Sequence, residues 1–199
     1  MININRFGEP TITYGQMNLI FHIRNLWREM ATWTRAYLIS RATGMGSPEE
    51  VFNRLYRIPR EFGNLLQLIL GNQIAEQYVQ FLSLQLVLIR EIIDAQRAGN
   101  ADLVNEKVRQ LYANAEERVK FITSANPFWD EAVVRNFIYT YHQYTLEEIN
   151  AFLTGEFQLS IDIYDRLLQL SDSIGDYFAQ GLFNYITYNP NEIPINPAT

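Results

Sequence analysis

The stretch VNEKVRQLYANAEERVKFI, residues 104–122, shows the spacing that decides the fold of this chain. Apolar residues recur in it every three or four positions, which is the period of a helix with one buried face. Charged residues such as Glu106, Arg109 and Lys120 occupy the other side. The sequence therefore predicts a long amphipathic helix, whose apolar stripe consists of Val104, Val108, Leu111, Ala115, Val119 and Ile122.

The same spacing continues in both directions along the chain. It predicts helices over 15–43, 49–69 (in two short pieces around Pro59), 72–98, 101–125, 127–154 and 156–187. The helix over 72–98 is apolar nearly all round through FLSLQLVLI (81–89), so we expect it at the centre. Asn126-Pro127 is expected to open the next-to-last helix. Capping-box spacing from Thr145 to Glu148 predicts a break near Tyr144.

These helices predict an all-α fold of one domain. We expect an up-and-down bundle of about five long helices plus a short helical connection, ferritin-like in general shape. The domain is predicted to span residues 15–188, between an extended N-terminal arm (1–14) and an extended C-terminal tail (189–199).

Composition excludes several classes of protein. The chain is 48% apolar and 19% charged, which is typical of a folded, core-rich domain, and its net charge of -6 disfavours nucleic-acid binding. It has no cysteine, so disulfides, iron–sulfur clusters and zinc thiolates are excluded. The uncharged run over 78–89 is shorter than the ~20 residues that span a bilayer, and no signal peptide is predicted. We therefore expect a cytoplasmic protein with no membrane segment.

The motifs of common enzymes are absent from the sequence. It has two histidines, His22 and His142, and neither belongs to a Glu-x-x-His pair of the kind that di-iron bundles use. No nucleophile elbow, phosphate-binding glycine loop or dinucleotide fingerprint is present. The sequence therefore favours a protein that is not an enzyme.

Glu29 poses a sharper question, because it lies between Trp27 and Trp33 in RNLWREMATWTR (24–35). On a helical wheel it falls at the border of the apolar face. A border carboxylate is more often paired with an arginine or a tyrosine hydroxyl than with a metal.

Four blocks of sequence resemble a family of small, all-helical, largely uncharacterised bacterial proteins, some of which are automatically labelled acetylglutamate kinases. The blocks are LWREMATWTR (26–35), YTLEE (144–148), SANPFW (124–129) and LTGEFQLSIDIYD (153–165). The resemblance implies a ferritin-like metal site built from histidines and acids on separate helices. In this chain Met30, Gln85 and Tyr141 stand where the family carries histidines.

Three functions follow from these observations. The first is a non-catalytic or degenerate bundle with a structural or protein-interaction role and no cofactor, which forms a homo-oligomer, most simply a dimer. The second, implied by the resemblance, is binding of a divalent metal such as Fe, Mn or Mg by carboxylates that converge inside the bundle, namely Glu29, Glu148, Asp162 and Asp165. The third is a small-molecule pocket lined by Trp27, Trp33, Gln85, Tyr141 and His142.

Overall fold

A computed structural model describes residues 12–188, and in that range the chain forms seven α-helices and no strand. The predicted all-α helical bundle is confirmed. The predicted tail over 189–199 lies outside the described residues, as does most of the predicted N-terminal arm. The helices are α1 (Tyr14–Thr43), α2 (Pro48–Leu55), α3 (Ile58–Leu70), α4 (Asn72–Arg97), α5 (Ala101–Ala125), α6 (Glu131–Leu153) and α7 (Phe157–Thr187).

Neighbours in sequence are neighbours in space, and the two end helices close the bundle. The pairs α3/α4, α4/α5, α5/α6 and α6/α7 each pack together, and α1 packs most extensively on α7. Helices α1 and α7 run antiparallel, because Arg24 pairs with Asp176 whereas Arg35 reaches Ser160. The first and last helices of the described chain therefore share one long contact.

Three local expectations were wrong. Helix α6 begins at Glu131 and not at Pro127, because the side chain of Asp130 caps it. The Oδ1 of Asn126 instead accepts a hydrogen bond from the backbone N–H of Phe128 in the preceding turn. The helix does not break near Tyr144: Thr145 is buried and donates its hydroxyl to the carbonyl of Tyr141 in the preceding turn. Helix α4 is not enclosed by the others, since Leu84 is 47% exposed.

Glycine permits the closest approach between α1 and α7. A Cβ atom at Gly175 would lie 2.7 Å from the Cα atom of Arg24, so the two backbones are in contact there. At the end of α7, a Cβ at Gly181 would overlap the indole of Trp129. These two contacts fix how α7 lies against α1 and against the turn before α6.

The hydrophobic core runs through the whole bundle and includes Trp27, Leu82, Leu111, Ile138 and Ile174, all fully enclosed. No helix between residues 12 and 188 combines the length and the hydrophobicity needed to cross a bilayer.

Candidate functional site

Glu29 takes part in an ion pair between helices. Its Oε2 accepts a hydrogen bond from Nη2 of Arg54 on α2 at 2.5 Å, and its Oε1 accepts one from Asn25 at 2.9 Å. The guanidinium of Arg54 also lies 5.0 Å above the ring of Trp33. Glu29 is therefore the polar border of a core helix, held by an arginine.

Glu148 is the one buried carboxylate among the four predicted metal ligands. Its side chain is 2% exposed and pairs with Arg35, whose Nη1 also donates to Oγ of Ser160 at 3.0 Å. Burial raises the pKa of Glu148 from 4.5 to about 7, although Arg35 acts in the opposite direction. This group therefore titrates close to neutral pH.

The structure does not bring the predicted metal ligands together. Asp162 and Asp165 are exposed on α7, and Asp162 accepts a hydrogen bond from Gln158 on its own helix. Among residues 12–188, no three histidine, aspartate or glutamate side chains are placed to hold a metal ion. The expected convergence of the four carboxylates is wrong, because Arg54 and Arg35 pair with two of them and the other two face outward.

A second set of polar side chains does meet inside the bundle, and we call it the buried polar centre. Arg118 on α5 is 0% exposed and donates from Nη1 to Oε1 of Gln85 at 2.6 Å. Gln85 is also fully buried, and its amide nitrogen lies 3.7 Å from the sulfur of Met30. The other members are Tyr78 on α4 and Tyr141 and His142 on α6, each at most 2% exposed.

Electrostatics link the members of this centre. Burial raises the pKa of Tyr78 and of Tyr141, and the charge of Arg118 opposes both shifts. Burial and the Arg118 charge together hold the pKa of His142 well below 6.5, so its imidazole is neutral at pH 7. Arg118 therefore acts on all three groups, and at Tyr141 the charge of Glu148 adds to the upward shift of the pKa.

The residues of the predicted pocket are only partly brought together. Trp27, Gln85, Tyr141 and His142 are all buried, and the rings of Trp27 and Tyr141 meet edge to face with centroids 5.3 Å apart. Trp33 lies on a different face, under Arg54. Met30, Gln85 and Tyr141, the three positions that the resemblance compares with histidines, all lie in the buried polar centre.

Arg118 was not among the site residues predicted from the sequence, although its position relative to the apolar residues of α5 indicates that it lies on the buried face. Arg118 follows Leu111 by seven residues and Ala115 by three, so it falls on the apolar stripe of α5 and not on its charged side. A charged residue on such a stripe is either buried or snorkels to the surface. In this structure it is buried.

A third feature lies on the outside, where α1 meets α7, and we call it the apolar seam. Positions 14, 17, 21, 24 and 28 share one face of α1, and positions 172, 176, 183 and 186 share one face of α7. Arg24 and Arg28 pair with Asp176 and Asp172 across this contact. Beyond these ion pairs, the contact carries five large apolar side chains, and the name apolar seam refers to these five: Tyr14, Met17, Phe21, Phe183 and Ile186.

Four of the five side chains of the apolar seam are exposed to solvent, and Phe183 is half-buried. The exposed fraction is 76% for Tyr14, 55% for Phe21 and 57% for Ile186. The whole run from residue 177 to 188 has no charged residue, and the run from 12 to 23 has only His22. A patch of this kind on a charged protein is typical of an interaction surface.

Comparison of the chain with models of protein families, with curated protein sequences and with solved structures finds no match.

Proposed function

We propose that this protein is a non-catalytic helical bundle that acts by self-association, and that two copies pair through the apolar seam. The observation that supports this proposal is the change along the α1/α7 contact from ion pairs to exposed apolar side chains. Where the ion pairs end at Arg24, the same helix faces carry Phe21, Met17 and Ile186 instead.

The charge distribution allows a second copy of the same chain to bind at the seam. Each copy carries a net charge of -6, so two copies repel each other over most of their surfaces. The apolar seam is free of acidic and basic groups, so repulsion is weakest where two seams meet. A two-fold axis through the seam would place each apolar patch on its own counterpart, as a symmetric dimer requires.

The size of the seam is adequate for the core of such an interface. Three of its five side chains are aromatic, and a large side chain of this kind contributes ~150–250 Å² when it is fully buried. At the observed exposures the five together offer on the order of 500 Å², against ~800 Å² per partner in a standard interface. Surrounding polar residues would supply the rim.

Introduced cysteines test this proposal directly, because the chain has none of its own. We expect at least one of Met17→Cys, Phe21→Cys and Ile186→Cys to form a disulfide-linked dimer under mild oxidation, since equivalent seam residues meet near the axis. Leu68→Cys is the matched control, because Leu68 is 83% exposed on α3, a helix that contributes no side chain to the seam. Equal cross-linking of all four variants, or cross-linking of the control alone, would contradict the proposal.

A cytoplasmic location and a ferritin-like shape stay predictions from the sequence, as does the resemblance to the bacterial family.

A further inference from the structure

The buried polar centre contains an unbalanced positive charge. Arg118 has no exposed surface, and within residues 12–188 no carboxylate forms an ion pair with it. Its protein hydrogen bond goes to the neutral amide of Gln85. Burial lowers the pKa of Arg118, but a guanidinium starts so far above neutrality that it keeps its proton at pH 7.

The interior that holds this charge also contains unpaired hydrogen-bond donors. The Nε of Arg118 and the hydroxyls of Tyr78 and Tyr141 are buried without a partner among the described residues. Because both phenols stay protonated, each has an O–H to donate, and the arginine N–H can only donate. The buried, unpaired acceptors include one ring nitrogen of the neutral His142, Oδ1 of Asn114, one helical turn from Arg118, and the two phenol oxygens themselves. None of these groups is negatively charged, so the centre keeps one net positive charge.

Native interiors rarely leave such groups unpaired. Buried polar atoms almost always have a hydrogen-bond partner, which is either protein, water or a bound ion. A buried charge is paired as a rule, since an unpaired one is among the most destabilising features that a core can have. A group that only accepts hydrogen bonds and carries one negative charge would satisfy both requirements at once.

We propose that the buried polar centre binds a small monovalent anion of the halide type, held by Arg118 Nε and by the hydroxyls of Tyr78 and Tyr141. One guanidinium matches one negative charge, so a monovalent anion is favoured over phosphate or sulfate. Because Arg118, Tyr78 and Tyr141 are buried on three helices, α5, α4 and α6, the ion must be small and enters when the bundle opens or folds. This inference does not depend on self-association.

Bromide is a suitable probe, because it replaces chloride and scatters anomalously. In crystals of the full chain grown with sodium bromide, we expect an anomalous peak within hydrogen-bonding distance of Arg118 Nε, about 3.3 Å for so large an anion. A peak at the surface only, or water alone beside Arg118, would overturn the proposal.

Unfolding in solution gives an independent measurement. The ionic strength is held constant with a bulky organic anion. Relative to bromide-free buffer, a bromide concentration of about ten times its dissociation constant should lower the unfolding equilibrium constant about tenfold. Arg118→Met should abolish this dependence if the variant folds. Arg135→Met is the matched control, because Arg135 pairs with Glu116 and Glu131 on the surface, and it should keep the dependence. Equal bromide dependence in both variants would contradict the proposed site.

Discussion

The Nη1 atom of Arg118 donates a hydrogen bond to Oε1 of Gln85 at 2.6 Å, and both side chains are fully enclosed by the bundle. This bond joins α4 to α5 in the interior and gives the buried Gln85 amide oxygen its hydrogen-bond partner. Gln85, which was predicted from the sequence as a pocket residue, therefore anchors a buried polar network.

Gln85→Leu should destabilise the protein by about 2–4 kcal/mol, because it leaves the buried guanidinium without its protein acceptor. Urea unfolding monitored by circular dichroism measures the effect. Gln80→Leu, at an exposed position on the same helix, should change stability by less than about 0.5 kcal/mol. A Gln85→Leu variant more stable than the wild type would show that the bond to Arg118 is not needed.

Replacing both partners should recover part of the loss. The double variant Gln85→Leu/Arg118→Met removes the buried charge together with its acceptor, so it should be more stable than Gln85→Leu by about 1–3 kcal/mol. The same urea titration, run as a double-mutant cycle, gives the coupling free energy. Strictly additive effects would mean that the two side chains do not interact.

Stability should fall as the pH rises through the range in which Glu148 titrates. Burial raises the pKa of Glu148 from 4.5 to about 7, so the folded protein binds more protons than the unfolded chain between these values. Protonated Glu148 therefore makes its full contribution to the free energy of unfolding below about pH 4.5. This contribution, on the order of 3 kcal/mol, is lost as the pH rises to about 7.

The difference in unfolding free energy between the wild type and Glu148→Gln, followed from pH 5 to pH 8, isolates this effect. The difference should decrease as the pH rises. Glu116→Gln is the control, and its free energy of unfolding should vary with pH as that of the wild type does. Arg135 lowers the pKa of the Glu116 carboxyl to about 2, which is below the pH range of the measurement. A difference that stays flat would mean that Glu148 is ionised throughout.

Gly175→Ala should separate α1 from α7. The added Cβ would lie 2.7 Å from the Cα atom of Arg24, so one of the two backbones must shift, and we expect a loss of about 1–3 kcal/mol. Gly15→Ala is the matched control, because no atom of another described element lies within 4 Å of its added Cβ, and it should stabilise α1 by up to ~1 kcal/mol. Thermal unfolding compares the two, and a neutral Gly175→Ala would show that the helices are not in backbone contact.

The helices were predictable wherever periodicity and caps act locally. Helix α5 spans Ala101–Ala125 and α4 spans Asn72–Arg97, within one residue of the predicted bounds. The start of helix α6 at Asn126 and a break near Thr145 were predicted wrongly, because the spacing of residues does not reveal the hydrogen bonds that these two side chains make. Asn126 donates to the carbonyl of Gly181 on α7, 55 residues away.

The candidate site was less predictable for the same reason. Periodicity places Glu29 at the border of a face, but it does not reveal that Arg54 pairs with Glu29 or that Arg35 pairs with Glu148. Arg118 was visible as a charge on an apolar stripe, yet only the tertiary structure shows that no carboxylate within residues 12–188 pairs with it.

Sedimentation velocity of the untagged full-length protein at micromolar concentrations tests the central claim, self-association through the apolar seam, most directly. We expect the wild type and Leu68→Lys to sediment with twice the 23.3 kDa mass of one chain, and Phe21→Lys to sediment as a monomer. The charge in Phe21→Lys would be buried against its counterpart in the partner copy. A monomeric wild type, or a Phe21→Lys variant as dimeric as the wild type, would contradict it.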